Sequence, residues 1–371
     1  MAHALVDYYK GLSVLILTGS PIVGRFDFKA RVDFVRLPGV IKLHNGDYTP
    51  LALHINLSDT MKLRKSIIHH TAKAYAPDVF LVDKEPLGLK GEVKSTLKMF
   101  KDTPTKTVLG LRDVMDDRES LHKEWDKKKV WPALEELYDE FWVYGSEGMG
   151  NPLQGLPVSQ KVRAKTVFTG YLRRELPKRH ERGKLRIPNK PYILVTPGGG
   201  GDGIEMVDWV LRAYETTKDQ PLPRAVFVLG PFMPIAERDK FIKRAEGLGN
   251  VRMITFDSQI EHLFSRAAGV VAMGGYNTFC EILSFDRPSL ILPRQVPRKE
   301  QLIRARNAAD LGLVSMLELN GNKETELMVA ALRSLLIQPK PSMSLIPRTL
   351  DGLATVVERF GCMVKESVKV R

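Results

Sequence analysis

The chain has 371 residues, a length that suits about two or three domains that each bury a core of their own. Hydrophobic residues make up 43% and charged residues 27%, which excludes a disordered or collagen-like chain. With two cysteines, and neither a signal peptide nor a membrane-length apolar run, the sequence predicts a reduced, cytoplasmic protein. Its net charge of +13 favours an anionic partner such as a phosphorylated small molecule, an acidic lipid surface or a nucleic acid.

The first half of the chain alternates short β-branched runs with amphipathic stretches. This pattern is typical of parallel sheets covered by helices. The predicted helices are Ser58–Tyr75 and Glu119–Glu140, and the predicted strands are Leu12–Thr18, Val32–Leu37, Val79–Asp83, Thr107–Leu111 and Phe141–Tyr144.

The opening of the chain is unusual for such a domain. Met1–Lys10 has the pattern of the last turns of an amphipathic helix, and Gly11 is placed to stop that helix before a strand. A doubly wound domain normally begins with a central strand and a phosphate-type turn, and both would precede residue 1. We therefore expect the first domain to lack its opening strand and loop.

A basic segment separates the two halves of the chain. Lys161–Lys190 holds eleven Lys or Arg residues, and its prolines interrupt regular structure. It predicts a linker at 173–189, between domains at 1–172 and 190–347. Because few aromatic residues accompany these cations, peripheral contact with the anionic inner face of a membrane is favoured over nucleic-acid binding.

The second half repeats the alternation of strands and helices. Its predicted strands are Tyr192–Thr196, Ala225–Leu229, Val251–Thr255, Gly269–Ala272, Ser289–Leu292 and Val314–Leu317. The expected architecture is therefore α/β, with two Rossmann-like, doubly wound domains that face each other across a cleft. Ligands of such sheets bind beyond the carboxyl ends of the strands, so motifs in those turns carry the most information.

One such turn has the features of an anion site. After a predicted strand, Gly274 and Gly275 turn the chain, and Asn277 or Thr278 can cap the helix that follows. The free amides and the positive dipole end of a helix suit a diphosphate without a metal ion. Glu281 lies one turn further along, and its side chain is expected to lean back toward the bound group. A ribose diol would donate two hydrogen bonds to it, although a solvated or ion-paired helix residue is the simpler interpretation of Glu281 alone.

The next loop and helix add polar groups. Glu300 and Gln301 begin a helix where they can bind sugar hydroxyls, while Arg294, Arg298 or Lys299 can offset phosphate charge. Arg304 follows one turn later. A Gly-Gly turn before a helix is common in proteins, so helix–sheet packing without a ligand is an equal alternative for this region.

A second glycine run, Thr196–Gly203, follows the first strand of the second half. It satisfies the G-x-G-x-x-G pattern of dinucleotide sites, but the next strand does not end in the acidic residue that a nicotinamide site requires. Gly199–Gly201 are interpreted instead as a loop that admits donor phosphates or the acceptor. A tight turn without a ligand is the alternative.

These residues resemble a known family. The sequence Gly-Gly-Tyr-Asn-Thr at 274–278, Glu281, Pro288, Pro293 and Glu-Gln at 300–301 are similar to the C-terminal domain of the lipid-II-forming N-acetylglucosaminyltransferase, MurG, and its relatives. That family has the GT-B fold. The resemblance spans about residues 190–320 and extends only loosely to the first half, and it fits an uncharacterised bacterial branch of predicted glycosyltransferases.

The resemblance implies roles for the motif residues. Gly275 to Thr278 would embrace the diphosphate of a uridine-linked donor, Glu281 would bind the ribose, and Gln301 with Glu300 would bind the sugar. It also implies that the C-terminal helix at 348–371 packs back on the first domain. The complete expected donor site is Gly199, Gly200, Phe256, Gly274, Gly275, Tyr276, Asn277, Thr278, Glu281, Glu300, Gln301 and Arg304.

Catalytic candidates are confined to charged residues at strand ends of the first half. They are Asp83, Glu85, Arg112 and Asp113. Inverting transfer needs a base at the acceptor hydroxyl and support for the departing diphosphate. The sequence contains no Asp-x-Asp, so neither a metal nor a cofactor is expected. Helix capping and salt bridges are the alternative roles of these four residues.

The sequence therefore predicts a hexosyltransferase-type glycosyltransferase, inverting and metal-independent, that uses a nucleotide diphosphate sugar and an unknown acceptor. Two alternative functions remain open for the same predicted fold. One is a nucleotide-sugar hydrolase or epimerase, and the other is a nucleotide-sugar-binding protein without turnover. A dehydrogenase is a third, less favoured alternative.

Overall fold

The computed structural model describes residues 1–42, 48–177, 190–217, 221–321 and 323–370. Most of the predicted linker, residues 178–189, lies outside this part of the chain. The chain divides into two compact units. The first comprises Met1–Ser146, Asn151–Gly170 and Asp351–Arg371, and the second comprises Glu147–Gly150 and Tyr171–Leu350.

The strands and helices follow in chain order. The strands are β1 (Val14–Thr18), β2 (Val32–Arg36), β3 (Val40–Lys42), β4 (Tyr48–Pro50), β5 (Val79–Asp83), β6 (Lys106–Arg112), β7 (Glu140–Tyr144), β8 (Thr166–Phe168), β9 (Tyr192–Thr196), β10 (Arg224–Val228), β11 (Val251–Ile254), β12 (Gly269–Ala272), β13 (Ser289–Ile291) and β14 (Ser315–Met316). The helices are α1 (Ala2–Tyr8), α2 (Leu57–Tyr75), α3 (Lys94–Phe100), α4 (Arg118–Lys127), α5 (Trp131–Glu136), α6 (Gln160–Ala164), α7 (Ile204–Thr216), α8 (Ile235–Ala245), α9 (Glu261–Phe264), α10 (Tyr276–Ser284), α11 (Glu300–Asp310), α12 (Thr325–Leu335) and α13 (Gly352–Val370).

The first unit contains three small sheets. Strands β5, β6, β7 and β8 form a parallel sheet in that order, β1 and β2 form a separate parallel pair, and β3 and β4 form an antiparallel hairpin. The core lies around β6, where Val108, Leu109 and Leu111 are fully buried. In the described part of the chain, β1 pairs with β2 alone.

One sequence prediction for the first unit is wrong. The single helix predicted over Glu119–Glu140 is two helices, α4 and α5, because Lys129 between them adopts a left-handed φ of 53° and Pro132 opens the second. The basic segment that starts at Lys161 begins with α6 and β8, which lie within the predicted first domain. Its β-branched Thr-Val-Phe stretch forms the edge of the four-stranded sheet, which the surrounding charge obscured.

The second unit is one doubly wound sheet. All six strands are parallel, in the order β11, β10, β9, β12, β13, β14. Side chains of α7, α8 and α12 share one buried cluster, whereas those of α9, α10 and α11 share the cluster on the other face. Both faces of β9 are therefore covered, which explains why its five residues are all buried.

In the part of the chain described here, no helix combines the length and the apolar character needed to cross a bilayer.

Candidate functional site

The strand order of the second unit places one crevice at β9 and β12. These strands are neighbours, with Thr196 opposite Ala272, and the chain leaves them toward helices on opposite faces of the sheet. A doubly wound sheet opens at such a switch point, beyond the carboxyl ends of the strands, because the two connections diverge there. Both glycine motifs of the sequence lie in these two connections.

The turn after β12 presents a bare helix end. Gly274 has a φ of +76°, which only glycine adopts without strain, and α10 begins immediately after Gly275. The prediction that Asn277 or Thr278 caps this helix is wrong, because both lie inside its first turn and no side chain caps it. The amides of a first helical turn have no partner inside the helix, so the end of α10 is open to an anionic group.

Buried side chains of α11 hold this turn in place. The guanidinium of Arg304, almost fully buried, donates from Nη1 to the Gly274 carbonyl at 3.1 Å and lies over the Tyr276 ring. Gln301 accepts a hydrogen bond from the Arg294 amide at 3.2 Å, and its amide nitrogen faces Gly275. Arg304 therefore holds the turn through its backbone, and the contact with the donor that the sequence predicts for Arg304 stays a prediction.

An ion-paired cluster joins the loop after β9 to the connection between β13 and α11. Arg294 donates to Asp202, in the loop after β9, at 2.7 Å and to Glu300, at the start of α11, at 2.6 Å. The Arg294 charge that we assigned to phosphate is thus already balanced by two carboxylates. The second carboxylate oxygen of Glu300, Oε2, is buried and accepts no hydrogen bond. A bound ligand could supply the hydrogen-bond donor that this buried oxygen lacks.

Glu281 is a buried carboxyl group of α10 with a raised pKa. The residue is 9% exposed, no side chain of the described residues donates to it, and burial raises its pKa to about 8. The nearby Glu261 adds to that rise in pKa, whereas Arg174 opposes it. Burial also raises the pKa of Glu261, whose Oε2 is buried without a hydrogen bond. A site with two buried carboxylates favours a ligand that brings hydrogen-bond donors.

Sequence reasoning missed two residues of this cluster. Arg174 donates to the Asn277 side chain at 2.9 Å and, through its amide, to Ser284 at 2.9 Å, so it lies along α10. It was hidden in the segment interpreted as a linker. Glu261 lies on a single-turn helix, α9, and no spacing in the sequence connects it with Glu281.

The glycine run after β9 has a packing role. Gly200 has a φ of +92°, and a Cβ there would overlap the Leu229 carbonyl oxygen. Gly199 accepts a hydrogen bond from the Phe232 amide at 2.9 Å. The loops after β9 and β10 therefore touch backbone to backbone, which accounts for Gly200 without a ligand. The same loop approaches α10, because a Cβ at Gly198 would lie 3.4 Å from the Thr278 hydroxyl.

Phe256 lies in the turn that follows β11, at the same carboxyl edge of the sheet but two strands from β9. The neighbouring Asp257 side chain accepts from the Gln259 amide at 2.9 Å and so shapes this turn. The expected place of Phe256 in the donor site stays a prediction.

The four catalytic candidates lie in the first unit and differ in their surroundings. Arg112 donates to Asp83 at 2.9 Å and lies over the Tyr144 ring, and the Asp83 side chain is 55% exposed. Glu85 instead accepts from Lys128 at 2.7 Å. Asp113 is buried and accepts from the Val114 amide at 2.8 Å. The structure thus brings Asp83 and Arg112 together and gives Glu85 and Asp113 partners of their own.

In the part of the chain that the structure describes, no cluster of three or more His, Cys, Asp or Glu side chains is arranged to hold a metal ion.

Comparison with known proteins places this geometry in a fold. No family model and no curated protein sequence matches the chain. A search of solved structures finds the glycotransferase of kitacinnamycin, with a TM-score of 0.63 and 15% identity over 98% of this chain and 93% of that one. The chain has the GT-B fold. Acinetobacter baumannii MurG also matches, with a TM-score of 0.55 and 11% identity over 97% of this chain and 95% of that one.

The same fold is found in a solved structure that is described as an epimerase. A putative UDP-N-acetylglucosamine 2-epimerase from Listeria monocytogenes matches with a TM-score of 0.62 and 14% identity, over 100% of this chain and 92% of that one. At such identities the likeness concerns the GT-B fold, and chemistry has to be argued from the residues of the site.

Proposed function

We propose that this chain is a glycosyltransferase that takes a sugar from a uridine diphosphate sugar and transfers it, with inversion and without a metal ion, to an acceptor hydroxyl. The observation that carries the proposal is the buried Glu281 carboxylate on α10, whose uncapped start opens at the β9–β12 switch point. One helix thus offers an anion site and, one turn away, a carboxylate without donors.

The donor diphosphate occupies the start of α10. Gly274 and Gly275 let its oxygens approach the backbone, and the amides of the first turn donate to them. The helix dipole stabilises the negative charge that develops on the leaving diphosphate. Arg304 keeps the turn in this conformation through the Gly274 carbonyl.

Glu281 binds the ribose of the donor. Two adjacent ribose hydroxyls donate to its carboxylate, which replaces the water that burial removed. Because such hydrogen bonds favour the ionised form, the pKa of Glu281 falls from about 8 when the donor binds, and a proton is released. The affinity for UDP is therefore expected to rise with pH up to about 8 and to level off above it.

Glu300 and Gln301 contact the transferred sugar. The buried Glu300 Oε2 accepts a hydrogen bond from a sugar hydroxyl, while Arg294 donates to the other oxygen of the same carboxylate. This arrangement would discriminate against a donor that lacks the hydroxyl, because Oε2 would then stay without a hydrogen bond.

Asp83 is the proposed general base. The acceptor oxygen attacks the anomeric carbon, the bond from that carbon to the diphosphate oxygen breaks, and the hydroxyl proton passes to the Asp83 carboxylate. Arg112 donates to the Asp83 carboxylate at 2.9 Å and is a positioning residue. Glu85 and Asp113 are less suited to this role because the Glu85 side chain is only 31% exposed and Asp113 is buried, whereas Asp83 is 55% exposed.

Calorimetric titration tests the donor site directly. We expect UDP and UDP-N-acetylglucosamine to bind, with GDP, TDP and NAD weaker. The Glu281→Ala variant should lose on the order of 1–3 kcal/mol of UDP binding free energy, the worth of hydrogen bonds to a charged group. Glu246→Ala, which removes an exposed glutamate of the same unit, is the matched control. Equal affinity in the wild type and Glu281→Ala would remove Glu281 from the site.

An epimerase is a second candidate, since the putative UDP-N-acetylglucosamine 2-epimerase from Listeria monocytogenes shares the fold. Incubation of the chain with UDP-N-acetylglucosamine separates the two. A changed sugar still attached to UDP, without any acceptor, supports epimerisation. Free UDP that forms only when an acceptor extract is added supports transfer, and free sugar without an acceptor indicates a hydrolase.

A further inference from the structure

A cavity of about 250 Å³ lies in the first unit at the amino-terminal edge of the four-stranded sheet. Its lining residues precede or begin β6, β7 and β8, and they come from the segments 100–107 and 135–139 and from the end of α6. Asp83 and Arg112 lie at the opposite, carboxyl-terminal edge of the same sheet. The cavity is thus separate from the residues to which we assign catalysis.

Positive charge is concentrated in the wall of this cavity. Its four lysines are Lys101, Lys106, Lys161 and Lys165, and its three acidic residues are Glu135, Glu136 and Asp139. Two of the acidic groups are used elsewhere. Glu135 accepts from the amide and the hydroxyl of Ser159, at 3.2 and 2.7 Å, and Asp139 accepts from the Thr107 amide at 2.7 Å.

Lys161 and Lys165 form the most concentrated part of that charge. They are four residues apart at α6, a spacing at which like charges on a helix repel each other. The Lys165 amine donates to the Tyr138 carbonyl at 2.7 Å. In the part of the chain that the structure describes, neither lysine has a carboxylate oxygen within ion-pair distance, although Asp139 and Glu135 attract the Lys165 ammonium from further away. Burial together with Lys161 lowers the pKa of Lys165.

The threonines of the cavity cannot replace the lysines as donors. The hydroxyl of Thr103 donates to the Phe100 carbonyl, and that of Thr107 donates to the Leu137 carbonyl. The N–H groups that face the cavity are therefore chiefly ammonium groups. Ammonium groups favour a compact ligand of high negative charge over a neutral sugar or an apolar molecule.

We propose that this cavity is a binding site for a compact phosphate-bearing anion, held by Lys161 and Lys165. A phosphate group neutralises two neighbouring lysines, and the attraction of Asp139 and Glu135 for the Lys165 ammonium offsets burial and the repulsion from Lys161 only in part. The volume suits a small phosphate compound and is below the usual range for larger ligands. A free phosphate and the phosphate headgroup of a lipid share this chemistry, and the site would accept either through the same ammonium groups.

The first experiment is calorimetric titration of the full chain with inorganic pyrophosphate at low salt. UDP is kept in excess so that the diphosphate site proposed on α10 does not contribute. Three proteins are compared: the wild type, the pocket variant Lys161→Gln/Lys165→Gln, and the control Lys123→Gln/Lys127→Gln. The control removes the same charge, at the same spacing, from the exposed surface of α4. We expect the pocket variant to bind about tenfold more weakly and the control to bind like the wild type.

A vesicle arm separates the two sources of phosphate. The same three proteins are floated with phosphatidylcholine vesicles, with and without phosphatidic acid, and thermal unfolding verifies that each variant is folded. Loss of pyrophosphate binding in the pocket variant alone supports a soluble ligand, and loss of phosphatidic-acid binding in that variant alone supports a headgroup. If wild-type protein binds neither probe at millimolar concentration, or if the pocket and control variants behave alike with both, the proposed site is refuted.

Discussion

The carboxylates near the carboxyl ends of the two main sheets differ in burial and in ion pairing. In the first unit, Asp83 pairs with Arg112 and Glu85 pairs with Lys128, and both pairs are partly solvated. In the second unit, Glu281 and Glu261 are buried, their pKa values are raised, and no side chain among the described residues donates a hydrogen bond to either. The first unit thus carries paired charges at this edge, and the second carries buried carboxylates without side-chain donors.

This difference distinguishes a binding site from a surface that carries reactive groups. A buried carboxylate without donors destabilises the folded chain, so it persists where a ligand supplies the missing hydrogen bonds. A solvated carboxylate that an arginine positions stays accessible, as a base requires. The second unit is therefore suited to holding the donor, and the first to providing a proton acceptor.

The largest effect is expected from the proposed base. Asp83→Asn should lower the rate of UDP release in the presence of an acceptor extract by about 100-fold or more, the usual contribution of a positioned general base, with UDP affinity unchanged. Glu85→Gln, two residues away, is the control and should retain most of the rate. Similar losses in both variants would contradict the distinction drawn between these carboxylates.

Gly200 tests whether the glycine run is a packing device. Gly200→Ala should lower the free energy of unfolding by about 3 kcal/mol, because alanine is strained at a φ of +92° and its Cβ overlaps the Leu229 carbonyl. Gly247→Ala is the control, since a Cβ there meets no atom within 4 Å. Urea unfolding of both variants gives the comparison, and equal stabilities would show that the loop can move aside.

Glu281 should make stability depend on pH. Its pKa of about 8 in the folded chain exceeds the ordinary 4.5, so the folded state binds the proton more tightly than the unfolded state. The resulting penalty is absent below pH 4.5 and grows as the pH rises toward 8. Glu281→Gln should therefore stabilise the protein by on the order of 3 kcal/mol at pH 8 and by much less at pH 5. A difference that does not change with pH in denaturant unfolding would contradict the buried, donor-free environment.

The smallest effect is expected at the solvated ion pair of the first unit. Glu85→Gln should change the free energy of unfolding by less than about 1 kcal/mol, because water screens its attraction to Lys128. Added salt should reduce even this difference in urea titrations. A larger, salt-independent loss would place Glu85 among the buried charges and weaken the contrast between the two units.

The sequence by itself determined the α/β class, most strand positions and the glycine turn before α10. The reason is that β-branched runs, helical periodicity and positive-φ glycines are local properties, which residues near in the chain express without tertiary contacts. Gly274 and Gly275 were found in this way. The resemblance of the 270–307 region to a GT-B family added the fold, which the comparison of structures confirms.

Tertiary structure alone decided which charged groups face one another. Glu261 and Glu281 come from different helices, Arg174 comes from a segment that looked like a linker, and Arg294 is neutralised by Asp202 from a loop 92 residues away. A hydrogen bond or a desolvation penalty depends on what packs around a side chain, and one-dimensional spacing does not contain that information. The same holds for the phosphate cavity, whose lysines meet only where the amino ends of three strands come together.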